Sequence, residues 1–200
     1  MRAFASLSYP EQVETARLVL RRWQPDDAPA MAAIWREPDV WRMLQPDRPF
    51  DPDQSRAMLD RHLNHWEQHG FGIWAAVERS SSEVAGWIGP SHPTFVPELA
   101  DRIEIGWTLR PPFWGRGLAT EGARAAVNAT FSNLDTDEAI SLIHHTNERS
   151  ITVATHLGMR HARDVLHPEL GDHLRVYALS RTAWSSSSSR GASPHSTSSR

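Results

Sequence analysis

The apolar positions of the chain mark out a series of short strands and amphipathic helices. Residues 17–22 hold a short apolar run between arginines and read as a strand. Residues 26–36 place Met31, Ile34 and Trp35 at helical spacing, with Asp26 and Asp27 in the first turn, where the helix dipole favours anions. A stronger helix start follows: Asp51 as N-cap, Pro52 at the first position and Gln54 at the third. Met58, Leu59, His62, Leu63 and Trp66 then share one face, and Gly70 ends the helix. Residues 71–78 and 84–90 read as a hairpin joined by the polar turn 79–83. After a proline-bearing loop at 91–101, a strand (102–109), a helix (117–131), a strand (139–143) and a helix (147–157) form a β-α-β-α unit. A last strand at 174–180 pairs with one at 160–165. Residues 1–13 show no period and read as an irregular arm, so the folded domain is expected over 14–184. From Ser185 the composition is too poor in apolar residues to bury a core, and 185–200 is expected to be a disordered serine-rich tail.

Composition narrows the function classes. All 21 cationic residues are arginine, and the net charge is −3. That balance makes no polyanion-binding field, so nucleic acid is not an expected partner. The lack of lysine excludes Schiff-base chemistry, and the lack of cysteine excludes disulfides, thiol nucleophiles and thiolate metal sites. No apolar run approaches the ~20 residues of a membrane span, and no signal peptide is visible at the N-terminus. A cytoplasmic protein without membrane attachment, monomeric or homodimeric, is the expectation.

The densest signal is residues 110–126, RPPFWGRGLATEGARAA, where a predicted strand runs through Gly115 and Gly117 into a helix. Glycine adopts positive φ freely and lets an anion approach the backbone. The first N–H groups of the helix lack intrahelical partners and sit at its positive end. Strand, glycine turn and helix start together make an anion site. No Gly-Lys-Ser/Thr follows, which excludes a Walker loop. Thr120 stands at the third position of the dinucleotide fingerprint, which excludes that pattern too. Leu118, Gly122, Ala125 and Ala129 form a small-residue stripe that would let the helix lie close to the sheet.

The string W-G-R-G-L-A-T-E (114–121) resembles the pyrophosphate loop of the GCN5-related N-acetyltransferase superfamily, in particular its ribosomal-protein N-terminal acetyltransferase branch. Residues 14–21 resemble that branch's opening strand. Residues 103–107 (IEIGW) resemble its central strand, and 144–150 with 157–159 resemble its N-x-x-S…L-G-M segment. The resemblance spans roughly residues 14–184. It departs at Pro112, where the pattern has Gln or Arg and where one backbone donor is lost.

The resemblance implies an α+β fold: a twisted, mostly antiparallel sheet flanked by helices and split near 104–109 and 139–143. It implies acetyl-CoA as acyl donor, no metal, and direct transfer of the acetyl group to a primary amine. Trp114, Gly115, Arg116, Gly117, Leu118, Ala119 and Thr120 then line the pyrophosphate. Ile105, Trp107 and Leu109 flank the pantetheine arm, and Asn147 contacts the cofactor while also fitting an N-cap. Glu104 takes the place of a water-mediated base. The superfamily's usual thiolate acid, a tyrosine, is replaced by Ala154, which leaves Ser150 as the substitute. Trp35, Trp41, Trp74, Trp87 and His144 are expected along the acceptor groove. His62, His65 and His69 share a helix face, but no carboxylate or cysteine pattern completes a metal motif. The branch points to a protein N-terminal α-amine as acceptor. A small-molecule amine, such as an antibiotic or polyamine, and a non-catalytic acyl-CoA-binding regulatory module remain as alternatives.

Overall fold

A computed structural model describes residues 8–42 and 50–190. In chain order its elements are β1 (Gln12–Glu14), β2 (Leu18–Arg21), α1 (Ala28–Arg36), α2 (Pro38–Trp41), α3 (Pro52–His69), β3 (Trp74–Glu78), β4 (Val84–Ser91), β5 (Ile103–Leu109), α4 (Leu118–Asn133), β6 (Glu138–His144), α5 (Glu148–His156), β7 (Arg160–Leu166), β8 (His173–Ser180) and α6 (Arg181–Arg190). The strands form one eight-stranded sheet in the order β1-β2-β3-β4-β5-β6-β8-β7. Every neighbouring pair is antiparallel except β5 and β6. That parallel pair is the one joined through α4, since a crossover helix returns the chain in the same direction.

Local chemistry sets several boundaries. Asp51 accepts from the Gln54 backbone N–H at 2.8 Å, and Gln54 Oε1 accepts from the Asp51 N–H at 3.0 Å, which closes a capping box. Gly70 ends α3 in the left-handed region at φ 71° and donates its N–H to Trp66. The polar turn between β3 and β4 is a tight hairpin, as its composition requires.

Helices cover both faces of the sheet. Leu18, Leu20, Trp74, Ile88 and Ile105 pack under α4 against Leu118, Ala123, Ala126 and Val127. On the opposite face Ala75 and Trp87 meet Trp23, Met31, Ile34, Trp35, Val40 and Leu59 from the α1–α3 layer. Val96, Leu99, Ile140, Val165, Leu174 and Val176 form a separate cluster toward the β7 edge. Gly122 brings α4 close to the sheet: a Cβ there would stand 2.4 Å from Ile88 Cδ1 and 3.1 Å from Leu18 Cδ1. The buried stripe of α4 runs through Gly122, Ala126, Ala129 and Thr130, and Ala125 is only partly covered, one position off the expected line.

Three elements depart from the sequence reading. The arm contributes a strand, β1, and α2 interrupts the loop after α1. The first six residues of the expected tail are helical, because α6 continues to Arg190. Two side chains dock that helix. The Arg181 guanidinium donates to the carbonyls of Phe131, Leu134 and Thr136, and buried Trp184 donates to Asn128 Oδ1 at 2.8 Å. Ser185 and Ser186 turn their hydroxyls back onto carbonyls four residues earlier. Residues 191–200 lie outside the described residues. Among those described, no helix is long and apolar enough to cross a membrane.

The tightest backbone approach in the sheet is at Gly86. A Cβ there would lie 2.0 Å from the Thr108 carbonyl oxygen and 2.7 Å from Leu109 Cα, main-chain atoms that cannot rotate away. Gly86→Ala is therefore expected to destabilise the fold by about 3 kcal/mol or more. Urea unfolding followed by circular dichroism measures it, and a loss below about 1 kcal/mol would contradict this packing.

Candidate active site

The site grows from a fork in the sheet. β5 pairs with β6 only at Ile103↔Ala139 and Glu104↔Ile140. Beyond that point β5 keeps a partner strand only on its β4 side, from Ser91↔Glu104 to Gly86↔Leu109. Two side chains close the crotch of the fork. Ser141 Oγ donates to the Ile105 carbonyl at 2.7 Å, and the Leu142 N–H donates to Glu104 Oε1 at 3.2 Å. The cleft beyond has unpaired strand backbone along one wall, which suits an extended amide-bearing chain.

Glu104 is the titratable group of the fork. Burial pushes its carboxyl up to about 7, and the Leu142 N–H works in the opposite direction without cancelling it. Its second carboxyl oxygen makes no hydrogen bond among the described residues. Ile105 is fully buried on the α4 face and Leu109 nearly so, while Trp107 is partly exposed. These three contribute backbone along the cleft, and their side chains belong mainly to the core.

β5 leads through a short 3-10 turn, Pro111–Phe113, into the glycine turn. Pro112 lies in that preceding turn, so its missing donor falls outside the glycine turn itself. Gly115 and Gly117 both take positive φ, 70° and 74°. Gly117 is the N-cap of α4 and no side chain caps the helix, which leaves the N–H groups of Leu118, Ala119 and Thr120 directed out of the helix start. Side chains hold the turn in place. Arg17 donates to the Arg116 carbonyl at 2.6 Å and to Glu121 Oε2 at 2.7 Å. The Arg116 guanidinium is bound to Glu78, so Arg116 presents its backbone N–H to the turn. Burial raises the Glu121 carboxyl, but bonds from Thr15 and Arg17 outweigh it and hold it below the usual range. The negative charge in the first turn of α4 is thereby matched by Arg17.

Trp114 anchors the turn, its indole donating to the Leu109 carbonyl at 2.6 Å. Arg149, in the first turn of α5, lies over the Trp114 ring at 4.3 Å and brings a cation beside the glycine turn. The sequence reading passed over Arg149; its place two residues after Asn147 was the available signal. Asn147 caps α5 by accepting from the Ser150 N–H at 3.1 Å, which leaves its amide donors available. Ser150 is partly buried and its hydroxyl makes no protein hydrogen bond. Ala154 is fully buried beneath α5. His144 ends β6 at the open side of the fork, its ring accepting or donating at Thr146 Oγ1, 2.8 Å away. Burial first, and His145 second, lower its pKa, with Asp172 opposing.

The expected groove tryptophans separate. Trp35 and Trp74 are fully buried in different clusters on opposite faces of the sheet, so neither lines a groove. Trp35 shares with Met31 and Ile34 the helical spacing of a core face. Trp41 is nearly buried on α2. Trp87 alone of the four is partly exposed, and its ring edge lies against Gly106, 3.0 Å from where a Cβ would stand.

Two histidines of α3 are set into the packing. His62 is buried against Trp23 and Trp87. His65 is held at both ring nitrogens, by the Phe71 carbonyl and the His92 N–H. Among the described residues no group of three His, Cys, Asp or Glu side chains is arranged to hold a metal ion. Among the described residues, five buried nitrogens lack a hydrogen-bond partner: Trp23 Nε1, Trp41 Nε1, His62 Nε2, Trp87 Nε1 and Arg110 Nε. Each such atom costs roughly 1–3 kcal/mol when left unpaired.

Known proteins share this arrangement. Residues 17–160 match the acetyltransferase (GNAT) domain. The FsC-acetyl coenzyme A-N(2)-transacetylase of Aspergillus fumigatus is 29% identical over 183 residues, covering 86% of this chain and 77% of its own length. The acetyltransferase structure from Agrobacterium tumefaciens str. C58 is 26% identical, with a TM-score of 0.72 over 90% of this chain and all of its own (100%). A ribosomal-protein α-N-acetyltransferase in complex with coenzyme A, 17% identical, shares the fold with a TM-score of 0.67 over 88% of this chain and 98% of its own. Fork, glycine turn and family match agree, and the chain belongs to the GNAT acetyltransferase family.

Proposed function

We propose that this acetyl-CoA-dependent enzyme acetylates a primary amine, with a protein N-terminal α-amine as the acceptor and Glu104 as the base. The observation that carries this reading is the Glu104 carboxyl at the fork, pushed up to about 7 with one oxygen free. An amine must be neutral to attack a thioester. An α-amine has an ordinary pKa near 8 against about 10.4 for a lysine side chain. A carboxylate near 7 is matched to the α-amine, because a base works best when its pKa lies near the operating pH.

Acetyl-CoA supplies the acetyl group as an activated thioester. The uncapped N–H groups of residues 118–120 and the turn between Gly115 and Gly117 fit its pyrophosphate. Trp114 and Arg149 border that site, and the unpaired edge of β5 fits the amide groups of its pantetheine arm. Glu104 takes the proton of the attacking amine, directly or through a water. The Ser150 hydroxyl, uncommitted within the protein, is the candidate to hydrogen-bond the departing thiolate, with Asn147 beside it. The name of the Aspergillus relative gives transfer to an N(2) nitrogen and mentions no protein N-terminus, which keeps a small-molecule amine as the second reading. CoA release measured across N-terminal peptides, polyamines and aminoglycosides separates these acceptors. Tight CoA binding with no release on any amine would leave a non-catalytic binding module instead.

Two outcomes test the assignments. Between pH 4.5 and 7 the native state holds the Glu104 proton more tightly than the unfolded chain, so this group's stabilisation is complete at low pH and declines as pH rises through that window. Glu104→Gln removes that cost, on the order of 2–3 kcal/mol above pH 7. It is expected to raise the Tm at pH 8 while lowering kcat/KM at pH 7 about 100-fold and abolishing the ascending limb near pH 7. An unchanged pH profile removes Glu104 as the base. At the glycine turn, Gly117→Val forces a branched residue into φ 74° and is expected to weaken CoA binding at least about 10-fold by calorimetry. Full affinity in a folded variant would refute the pyrophosphate assignment.

A further inference from the structure

A contact between its two arms bridges the mouth of the fork. Along β5 the backbone groups alternate sides. The Arg110 N–H donates to the Ala85 carbonyl of β4 at 2.8 Å, so Arg110 turns its backbone to β4 and Leu109 turns its carbonyl to the open side. The Ile105 carbonyl, in the same phase, meets Ser141 Oγ of β6. The Trp114 indole donates to the Leu109 carbonyl at 2.6 Å, which sets its N–H edge on the open side of β5. Arg149 reaches the same ring from the other arm. It is exposed in the first turn of α5, after β6, and its guanidinium carbon lies 4.3 Å from the ring centre.

The other arginines around the glycine turn are committed to carboxylates, Arg17 to Glu121 and Arg116 to Glu78. Arg149 makes no hydrogen bond or ion pair among the described residues. A ring face attracts a guanidinium and leaves its edge N–H groups able to donate. The ring under Arg149 is itself fixed by its bond to Leu109. A positive charge is therefore seated on a held indole directly before Gly115. A helix start offers N–H donors but only a partial charge, whereas a diphosphate is a multiply charged anion. A guanidinium adds a full charge and a fork of donors matched to phosphate oxygens.

We propose that Arg149, seated on Trp114, pairs with the diphosphate of CoA from the α5 side, while the N–H groups of residues 118–120 receive it from the α4 side. Arg149 thereby ties the start of α5, which carries Asn147 and Ser150, to the occupied turn. This rests on the reading of the glycine turn as the pyrophosphate site.

Calorimetry on the unliganded protein compares CoA with dephospho-CoA, which lacks the ribose phosphate, and with pantetheine, which lacks the diphosphate and is read by competition with CoA. Arg149→Met keeps a side chain that lies along the ring and removes the charge. It is expected to weaken CoA and dephospho-CoA alike by about 10- to 30-fold, and pantetheine by less than about 2-fold. Arg149→Lys keeps the charge without the planar fork and is expected to weaken CoA only about 3-fold. Added salt is expected to narrow the gap between the wild-type protein and Arg149→Met. Should Arg149→Met fail to fold, Arg149→Gln carries the same comparison. Full CoA affinity in the folded variant, with Gly117→Val still weakened, overturns the role of Arg149 alone. A loss confined to CoA places the charge on the ribose phosphate and overturns the pairing. An equal loss for pantetheine marks a structural effect and overturns it too. Full affinity in Gly117→Val overturns the pyrophosphate reading beneath it.

Discussion

The parting of β5 from β6 is the constraint on which the rest of the site depends. Two parallel strands that remain paired bury each other's backbone groups and leave no room for a third chain. Here pairing stops after Glu104↔Ile140, and the crotch is closed by side chains: Ser141 takes the Ile105 carbonyl and Glu104 takes the Leu142 N–H. The same carboxylate that satisfies an orphaned strand donor is thereby held where burial lifts its pKa. The closure of the fork and the raised carboxyl therefore come from one side chain.

A different logic governs the glycine turn. Its ligand-facing surface is backbone, and the surrounding charges serve to hold it still. Arg17 spans the Arg116 carbonyl and Glu121, while Arg116 is drawn away to Glu78, itself held below the usual carboxylate range by Ser81 and then by Arg116. Two arginines and two glutamates thus balance around the helix start. The anion site then owes its field to the N–H groups and the α4 dipole more than to a free cation. Arg149, over the Trp114 ring, forms no ion pair with a carboxylate of the described residues.

Most strand and helix positions were legible because punctuation and period agreed: Asp51, Pro52 and Gln54 bound α3, and Gly115 and Gly117 bound α4. The departures have physical causes. α6 is docked by Arg181 and Trp184, two residues whose partners, in α4 and the loop after it, lie about 45 to 56 positions away, so a serine-rich composition gave no hint of it. Trp35 and Trp74 were equally good as core or groove by type, and only the layering of helices on both faces assigns them to the core. His62 shares the apolar face of Met58, Leu59, Leu63 and Trp66 in the sequence, but α3 alone does not reveal that Trp23 and Trp87 close over it.

This asymmetry follows from how each half of the site is made. The donor half is contiguous backbone between Glu104 and Thr120, so its requirements are written as glycines and spacing in one stretch of chain. Trp23, His62 and Trp87 come from the segment after β2, from α3 and from β4, and they meet only because the helical layer folds across the sheet. A substitution at the glycine turn must preserve a conformation, whereas one among the packed rings must preserve volume.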